Sequence, residues 1–399
     1  MIPQKATRQQ SKAHNRDLVL KTIFDNETIS RAEIARLTRL TRTTVSNIVS
    51  SLLDEGLVEE VGLGESLGGK APVLLSLIAD SRYLIGIDLE QDKFIGAIVN
   101  LRGEIKEEIT IPTKKSNSQE AISLIYQLLD RLLATKWTPI IGIGVGAPGL
   151  MNLKEGIVVK AVNLEWENFP LASLLNTRYS LPVSVLNDSQ AAAIGEYVYG
   201  KGHKANENLI VVNVKKGTSA GIIIDGKLFQ GDGGGAGEIG HIVVQKDGLL
   251  CRCGKYGCLE TITSTRAILQ RTKLLAPKAK HSILPKESEE ISLEIIKNAF
   301  LANDALTQEI VFEAAHYLGA SIANLVGILN IQKIVLTGEM IRFGDAWLQS
   351  VESAMHQASF NILAQDTTIE LGKIELQGCI LGASASMLIN DYSLLFREN

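Results

Sequence analysis

The chain has 399 residues, more than one hydrophobic core usually serves, so two or three domains are expected. Its 45% hydrophobic and 21% charged residues are those of an ordinary soluble globular protein, with no need for disorder. The net charge of −4 argues against a general nucleic-acid coat, but residues 1–50 carry nine Lys and Arg against four Asp and Glu, +5, leaving −9 for the remainder, and a basic head on an acidic body fits a localised polyanion contact.

The first ten residues are polar, and no uninterrupted apolar run is long enough to cross a bilayer, so a cytoplasmic protein is expected. Between Asn15 and Glu27, Val19, Leu20, Ile23 and Phe24 form one stripe at helical spacing, a first helix. Ser30 and Glu33 make a capping box for a second helix that runs to about Arg39. After a short connection at Leu40, Thr41 caps a third helix, with Val45, Ile48, Val49, Leu52 and Leu53 on one face and Gly56 at its end.

The opposite face, with Thr43, Ser46, Asn47 and Ser50, is small and rich in hydrogen-bonding groups, and Arg42 and Thr44 stand at the entrance. Such a helix suits the major groove. Two β-prone runs, Leu57 to Val61 and Val73 to Leu77, flank a glycine-rich loop whose Lys70 can approach a phosphate backbone. Residues 1–80 therefore read as a winged helix-turn-helix DNA-binding domain, with Arg42, Thr43, Thr44, Ser46, Asn47, Ser50 and Lys70 as the DNA contacts.

From Arg82 onward, strands alternate with helices. Strands are expected at Leu84–Asp88, Phe94–Leu101 and Glu104–Ile111, then a helix over 118–135 and a strand at Ile140–Val145. The order recurs with Leu209–Val214, Gly221–Ile224, the Asp225-Gly226 turn, long helices after Ile291 and a strand at Lys333–Leu336. Duplicated halves of this kind predict two ribonuclease-H-like α/β domains of the actin-like ATPase and sugar kinase type around a ligand cleft. The first half spans 81–190, completed by a C-terminal helix near 385–399, and the second spans 191–384.

His241, Cys251, Cys253 and Cys258 fall within eighteen residues interspersed with glycines. One imidazole and three thiolates are a usual tetrahedral set for structural zinc, closed to a reactive water. Cys379 stands apart as a small core residue.

The run Gly237-Glu-Ile-Gly-His241, followed by C-x-C-G-x-x-G-C-L-E ending at Glu260, resembles the signature of the repressor/ORF/kinase (ROK) family. Ser66-Leu-Gly-Gly-Lys-Ala-Pro72 resembles that family's wing and linker, Gly144-Val-Gly-Ala-Pro-Gly149 its early glycine turn, and Asn187-Asp188 its sugar segment. The resemblance covers essentially the whole chain. It implies a sugar pocket built from Asn163, Asn187, Asp188, Glu238, His241 and Glu260, with His241 serving both the metal and a sugar hydroxyl.

The winged helix points to the repressor branch, which implies a sugar-responsive repressor of carbohydrate genes. Xylose is favoured as effector by resemblance, with glucose and N-acetylglucosamine close behind. Operator DNA and a second copy of the chain, as dimer or tetramer, are the expected partners. Cleft closure is expected to move the linker at Leu77–Arg82 and so re-space the reading heads.

Kinase members cradle ATP on glycine-rich turns. Here the first phosphate loop reads Gly86-Ile-Asp88-Leu-Glu90-Gln-Asp92, the second Lys215-Lys-Gly-Thr-Ser-Ala-Gly221, and Leu336-Thr-Gly-Glu339 keeps one of two adjacent glycines. No ATP and no kinase activity are expected. The alternatives are an ATP-dependent ROK sugar kinase with a regulatory head, or a repressor controlled by a protein partner.

Overall fold

The computed structural model describes residues 8–65, 71–113, 118–200, 207–390 and 392–396. The N-terminal unit contains α1 (Arg8–Phe24), β1 (Ile29–Ser30), α2 (Arg31–Thr38), α3 (Arg42–Asp54), β2 (Val58–Leu63) and β3 (Val73–Leu77). Its sheet has the order β1-β3-β2. The apolar stripe of α1 is buried as expected, but the helix begins earlier and ends at Phe24, before Asp25 and Asn26.

Both helix starts carry their side-chain caps. Ser30 Oγ accepts from Glu33 N–H at 3.2 Å, and Thr41 Oγ1 accepts from Thr44 N–H at 3.2 Å, filling donors that a first helical turn leaves unpaired. Arg39 ends α2 in the left-handed region, φ 58°, which makes the turn into α3 tight.

A single 3-10 turn at Ala79–Ser81 leads into the body. The first half contributes β4 (Tyr83–Leu89), β5 (Lys93–Asn100), β6 (Ile105–Pro112), α4 (Ser118–Leu133), β7 (Ile140–Ala147), a small sheet of β8 (Leu150–Asn152), β9 (Ile157–Ala161) and β10 (Trp166–Phe169), then α5 (Leu171–Tyr179), β11 (Val183–Asn187) and α6 (Asp188–Tyr199). Its main sheet runs β11-β7-β4-β5-β6, antiparallel among β4, β5 and β6 and parallel through β7 and β11.

The second half repeats the plan with β12 (Leu209–Val214), β13 (Thr218–Ile224), β14 (Lys227–Phe229), α7 (Glu260–Thr263), α8 (Thr265–Leu275), α9 (Leu293–Leu301), α10 (Ala305–Leu329), β15 (Lys333–Thr337), α11 (Asp345–Ala358), α12 (Asn361–Ala364) and β16 (Thr368–Leu371). The order is β14-β13-β12-β15-β16, again antiparallel and then parallel. This is the duplicated ribonuclease-H-like architecture. Helix α10 is long and apolar enough to cross a bilayer, but most of it is buried, as suits a core helix of this half.

The last helix, α13 (Gly378–Asn390), crosses back to lie on β4 and β7 and against α6, starting well before the expected 385. The sequence places an early glycine turn at Gly144–Gly149, whereas Gly144 and Gly146 lie inside β7 and Gly149 alone turns the chain. The cause is packing. A Cβ on Gly144 would stand 1.8 Å from the Ala383 carbonyl oxygen, so the bare strand lets α13 lie against the sheet.

Candidate functional site

In each half the parallel strands carry the carboxyl-end loops where ligands of α/β sheets bind. Asp88 sits near the end of β4 opposite Gly146 of β7, and Asn187 ends β11 beside Ala147. From the other half, β12 delivers Lys215, immediately after Val214. Its Nζ lies 3.3 Å from Asp88 Oδ2 and 3.8 Å from Glu90 Oε1, so the two halves meet there. Lys216 Nζ reaches Asp92 Oδ1 at 2.7 Å, and Arg266 donates to Gln91 Oε1 at 2.9 Å.

Asn187 caps α6, its Oδ1 accepting from Ser189 N–H at 2.9 Å and its Nδ2 donating to the Gly149 carbonyl at 3.0 Å. The side chain thus fixes the position of its neighbour. Asp188 Oδ1 accepts from Ser189 N–H at 2.9 Å. Burial, and then the Asp88 charge, push the Asp188 carboxyl up to about 6 against the opposing pull of Lys215. Burial would lower the Lys215 ammonium, but the charges of Asp88, Glu90 and Asp188 outweigh it and raise it.

Glu238 precedes the 3-10 turn Ile239–His241, and its Oε2 lies 3.8 Å from His241 Nε2. Burial, with Asp188 and Glu260 nearby, pushes the Glu238 carboxyl up to about 7. Glu260 is buried at the start of α7. Its Oε1 accepts from Arg252 at 3.0 Å, and its Oε2 accepts from Thr218 N–H at 3.4 Å.

The other ring nitrogen of His241, Nδ1, lies 3.5 Å from Cys251 Sγ, and Cys253 Sγ lies 3.6 Å from Cys258 Sγ. All four donor atoms fall within 4.8 Å of one another. Zn–S bonds of about 2.3 Å at tetrahedral angles put sulfurs about 3.7 Å apart, so the set fits a four-coordinate ion. Burial, then the neighbouring thiols, push the Cys258 thiol up to about 12, the behaviour of a thiol cluster that a cation would relieve.

Of the residues expected to bind sugar, Glu238 is close enough to both Asp188 and Glu260 for their charges to raise its own carboxyl, Asn187 adjoins Asp188, and His241 lies beside Glu238. Asn163 lies in the 3-10 turn Val162–Leu164, and its side chain falls outside the described residues. Spacing alone did not flag Lys215 as a partner of Asp88, or Arg252 as the partner of Glu260.

In the N-terminal unit Arg42, Thr43, Ser46, Asn47 and Ser50 form the exposed face of α3. Thr44 is drawn back into the cap, 2.9 Å from Thr41 Oγ1, and is half-buried. Lys70 lies outside the described residues.

Fold and site together define a winged-helix protein whose body is a sugar-kinase-like cleft with an attached metal-ligand cluster. The chain belongs to the ROK family, whose model matches residues 84–389, and a winged helix-turn-helix DNA-binding model matches residues 16–59. It is 36% identical over 383 residues to a xylose repressor of Caldicellulosiruptor bescii, covering 94% of this chain and 96% of the relative. A glucokinase of Halalkalibacterium halodurans is 36% identical over 279 residues, 68% of this chain and 84% of that one. Among solved structures, a ROK family transcriptional regulator, a homologue of the Escherichia coli MLC protein, superposes with a TM-score of 0.82 at 27% identity, covering 97% of this chain and 98% of that one.

Proposed function

We infer that the chain is a sugar-responsive, DNA-binding transcriptional repressor of carbohydrate genes, with D-xylose as its effector and the cytoplasm as its place of work. The observation that carries this is the winged helix fused to the sugar-binding body over a length shared almost end to end with a xylose repressor. Asp188, Glu238, His241 and Glu260, with Asn163 and Asn187, would bind the sugar hydroxyls as convergent acceptors and donors. Zn²⁺ would be held by His241, Cys251, Cys253 and Cys258, fixing the imidazole so that Nε2 faces the sugar. A dimer or tetramer would place two reading heads on a pseudo-palindromic operator, with Arg42, Thr43, Ser46, Asn47 and Ser50, and Lys70 of the wing, at the DNA.

The kinase reading is favoured by the glucokinase relative. Against it, phosphoryl transfer needs backbone amides and Mg²⁺ at the phosphates. In this chain Lys215 and Lys216 bind the carboxylates Asp88, Glu90 and Asp92 that stand on the first loop, so the groups that would meet a nucleotide already hold each other.

The test is binding of the purified protein to DNA from upstream of its own gene and of neighbouring sugar genes, with and without D-xylose, glucose, N-acetylglucosamine and ATP. A shift in specific binding caused by a sugar and not by ATP is expected. Sugar-dependent ATP hydrolysis would overturn the repressor-only reading, and absence of specific DNA binding would overturn the role of α3.

A further inference from the structure

The winged helix does not hang from a free tether. Its core is continuous with the body, because Val19, Leu20 and Ile23 of α1 share one buried cluster with Leu84, Leu101, Ile141, Met387, Leu388 and Leu395. The segment expected to act as a moving linker is itself pinned, since Asp80 accepts from Asn100 Nδ2 at 2.7 Å and pairs with Lys106 at 2.9 Å. A signal from the cleft must therefore pass through this packed junction.

One side chain joins its two sides by directed bonds. Arg102, in the turn between β5 and β6, donates from Nη1 to the Phe24 carbonyl at 2.7 Å and from Nη2 to the Asn26 carbonyl at 3.0 Å. Those carbonyls lie at the C-terminal end of α1, where a helix leaves acceptors unpaired and its dipole favours a cation. The guanidinium is half-buried, and its carbon lies 5.9 Å from the centre of the Phe24 ring. Next in sequence is Gly103, φ +81°, and the Tyr199 ring packs so closely that a Cβ there would stand 2.7 Å from it.

Tyr199 is the last residue of α6, and Asp188 is the first. Twelve helical residues form a stiff rod about 18 Å long. That rod packs on β12 and β13 of the second half and on α13, which itself lies on the first-half sheet. Helix α6 therefore touches both halves, so a change in how they meet bears directly on its packing. The Tyr199 hydroxyl is buried without a hydrogen-bond partner among the described residues, so packing rather than a hydrogen bond sets the ring against Gly103.

We propose that Arg102 is the positioning residue that couples the sugar cleft to the reading head, driven by Tyr199 at the far end of α6 and acting on the C-terminal end of α1. The proposal rests on the sugar-responsive reading given above. It predicts that Arg102 matters little for sugar binding or for DNA binding taken singly, and that it governs the effect of one on the other.

The test uses the full chain, DNA from upstream of its own gene and D-xylose. Wild type should show a xylose-dependent change in DNA affinity of about 5–150-fold, the usual span of allosteric coupling. Arg102→Met, which keeps the aliphatic stem and deletes both donors, should bind D-xylose and DNA comparably to wild type, with the ratio collapsing towards one. Tyr199→Leu should lose the ratio as well, while Tyr199→Phe should respond like wild type because the hydroxyl has no partner; should Arg102→Met not fold, the Tyr199 pair decides. A wild-type ratio in Arg102→Met, or in Tyr199→Leu if that variant has to decide, would overturn the proposal. No xylose response in wild type would instead overturn the sugar-responsive reading itself.

Discussion

Replacing Lys215 with Met should destabilise the body in a way that depends on pH. The Lys215 and Asp88 side chains are 17% and 3% exposed, and their charged atoms are 3.3 Å apart, so the substitution strands a buried carboxylate. Breaking one partner of such a pair costs about 3–5 kcal/mol. The loss has a ceiling, because Asp88 can take up a proton instead. From an ordinary carboxyl value of about 3.9, neutralisation costs about 1.4 kcal/mol per pH unit, hence about 4 kcal/mol at pH 7 and about 1.5 kcal/mol at pH 5. A buried carboxylate stranded without its cation favours its neutral form, so the cost of the substitution is smallest at low pH and grows as pH rises. Urea unfolding of wild type, Lys215→Met and Lys215→Met/Asp88→Asn at both pH values measures this. The single variant should recover much of its deficit at pH 5, and the double variant should be more stable at pH 7 than the sum of the single-variant effects allows. An equal deficit at both pH values, with additive effects in the double variant, would refute the buried-pair argument.

Asn47→Ala or Thr43→Ala should lower the ratio of operator to random-DNA affinity by about 1–3 kcal/mol for each base that the side chain reads, and an unchanged ratio removes that residue from the reading face. D-xylose affinity should weaken as pH falls through about 6, where Asp188 gains its proton and stops being an ionised acceptor; calorimetric titration that stays flat from pH 5 to 8 would count against Asp188 as a sugar ligand. Elemental analysis should find one zinc per chain. Its removal by a chelator, or Cys253→Ser, should weaken sugar binding about 10–100-fold through the freed His241 ring, and sugar binding indifferent to the metal would separate the cluster from the pocket.

How far the sequence could be read follows from which forces are local. Ser30 with Glu33 and Thr41 with Thr44 are pairs three residues apart, so these two helix starts were legible, as were β4 to β7 of the first main sheet and β12, β13 and β15 of the second, but not the edge strands β11 and β16. The small sheet β8-β9-β10 was not, because its strands run three to five residues and carry too few periods of alternation. Glycine chemistry misled at Gly144, where a residue type that marks turns serves helix-to-sheet approach instead. The metal ligands were legible because they cluster in sequence, whereas the pairing of Lys215 with Asp88 joins residues 127 apart and Arg102 with Phe24 joins residues 78 apart. Both pairings lie at junctions, one between the body's halves and one between body and reading head. The sequence thus marks the sites, while the couplings between them exist only in tertiary packing. That is where a ligand acting on distant DNA must exert its differential free energy.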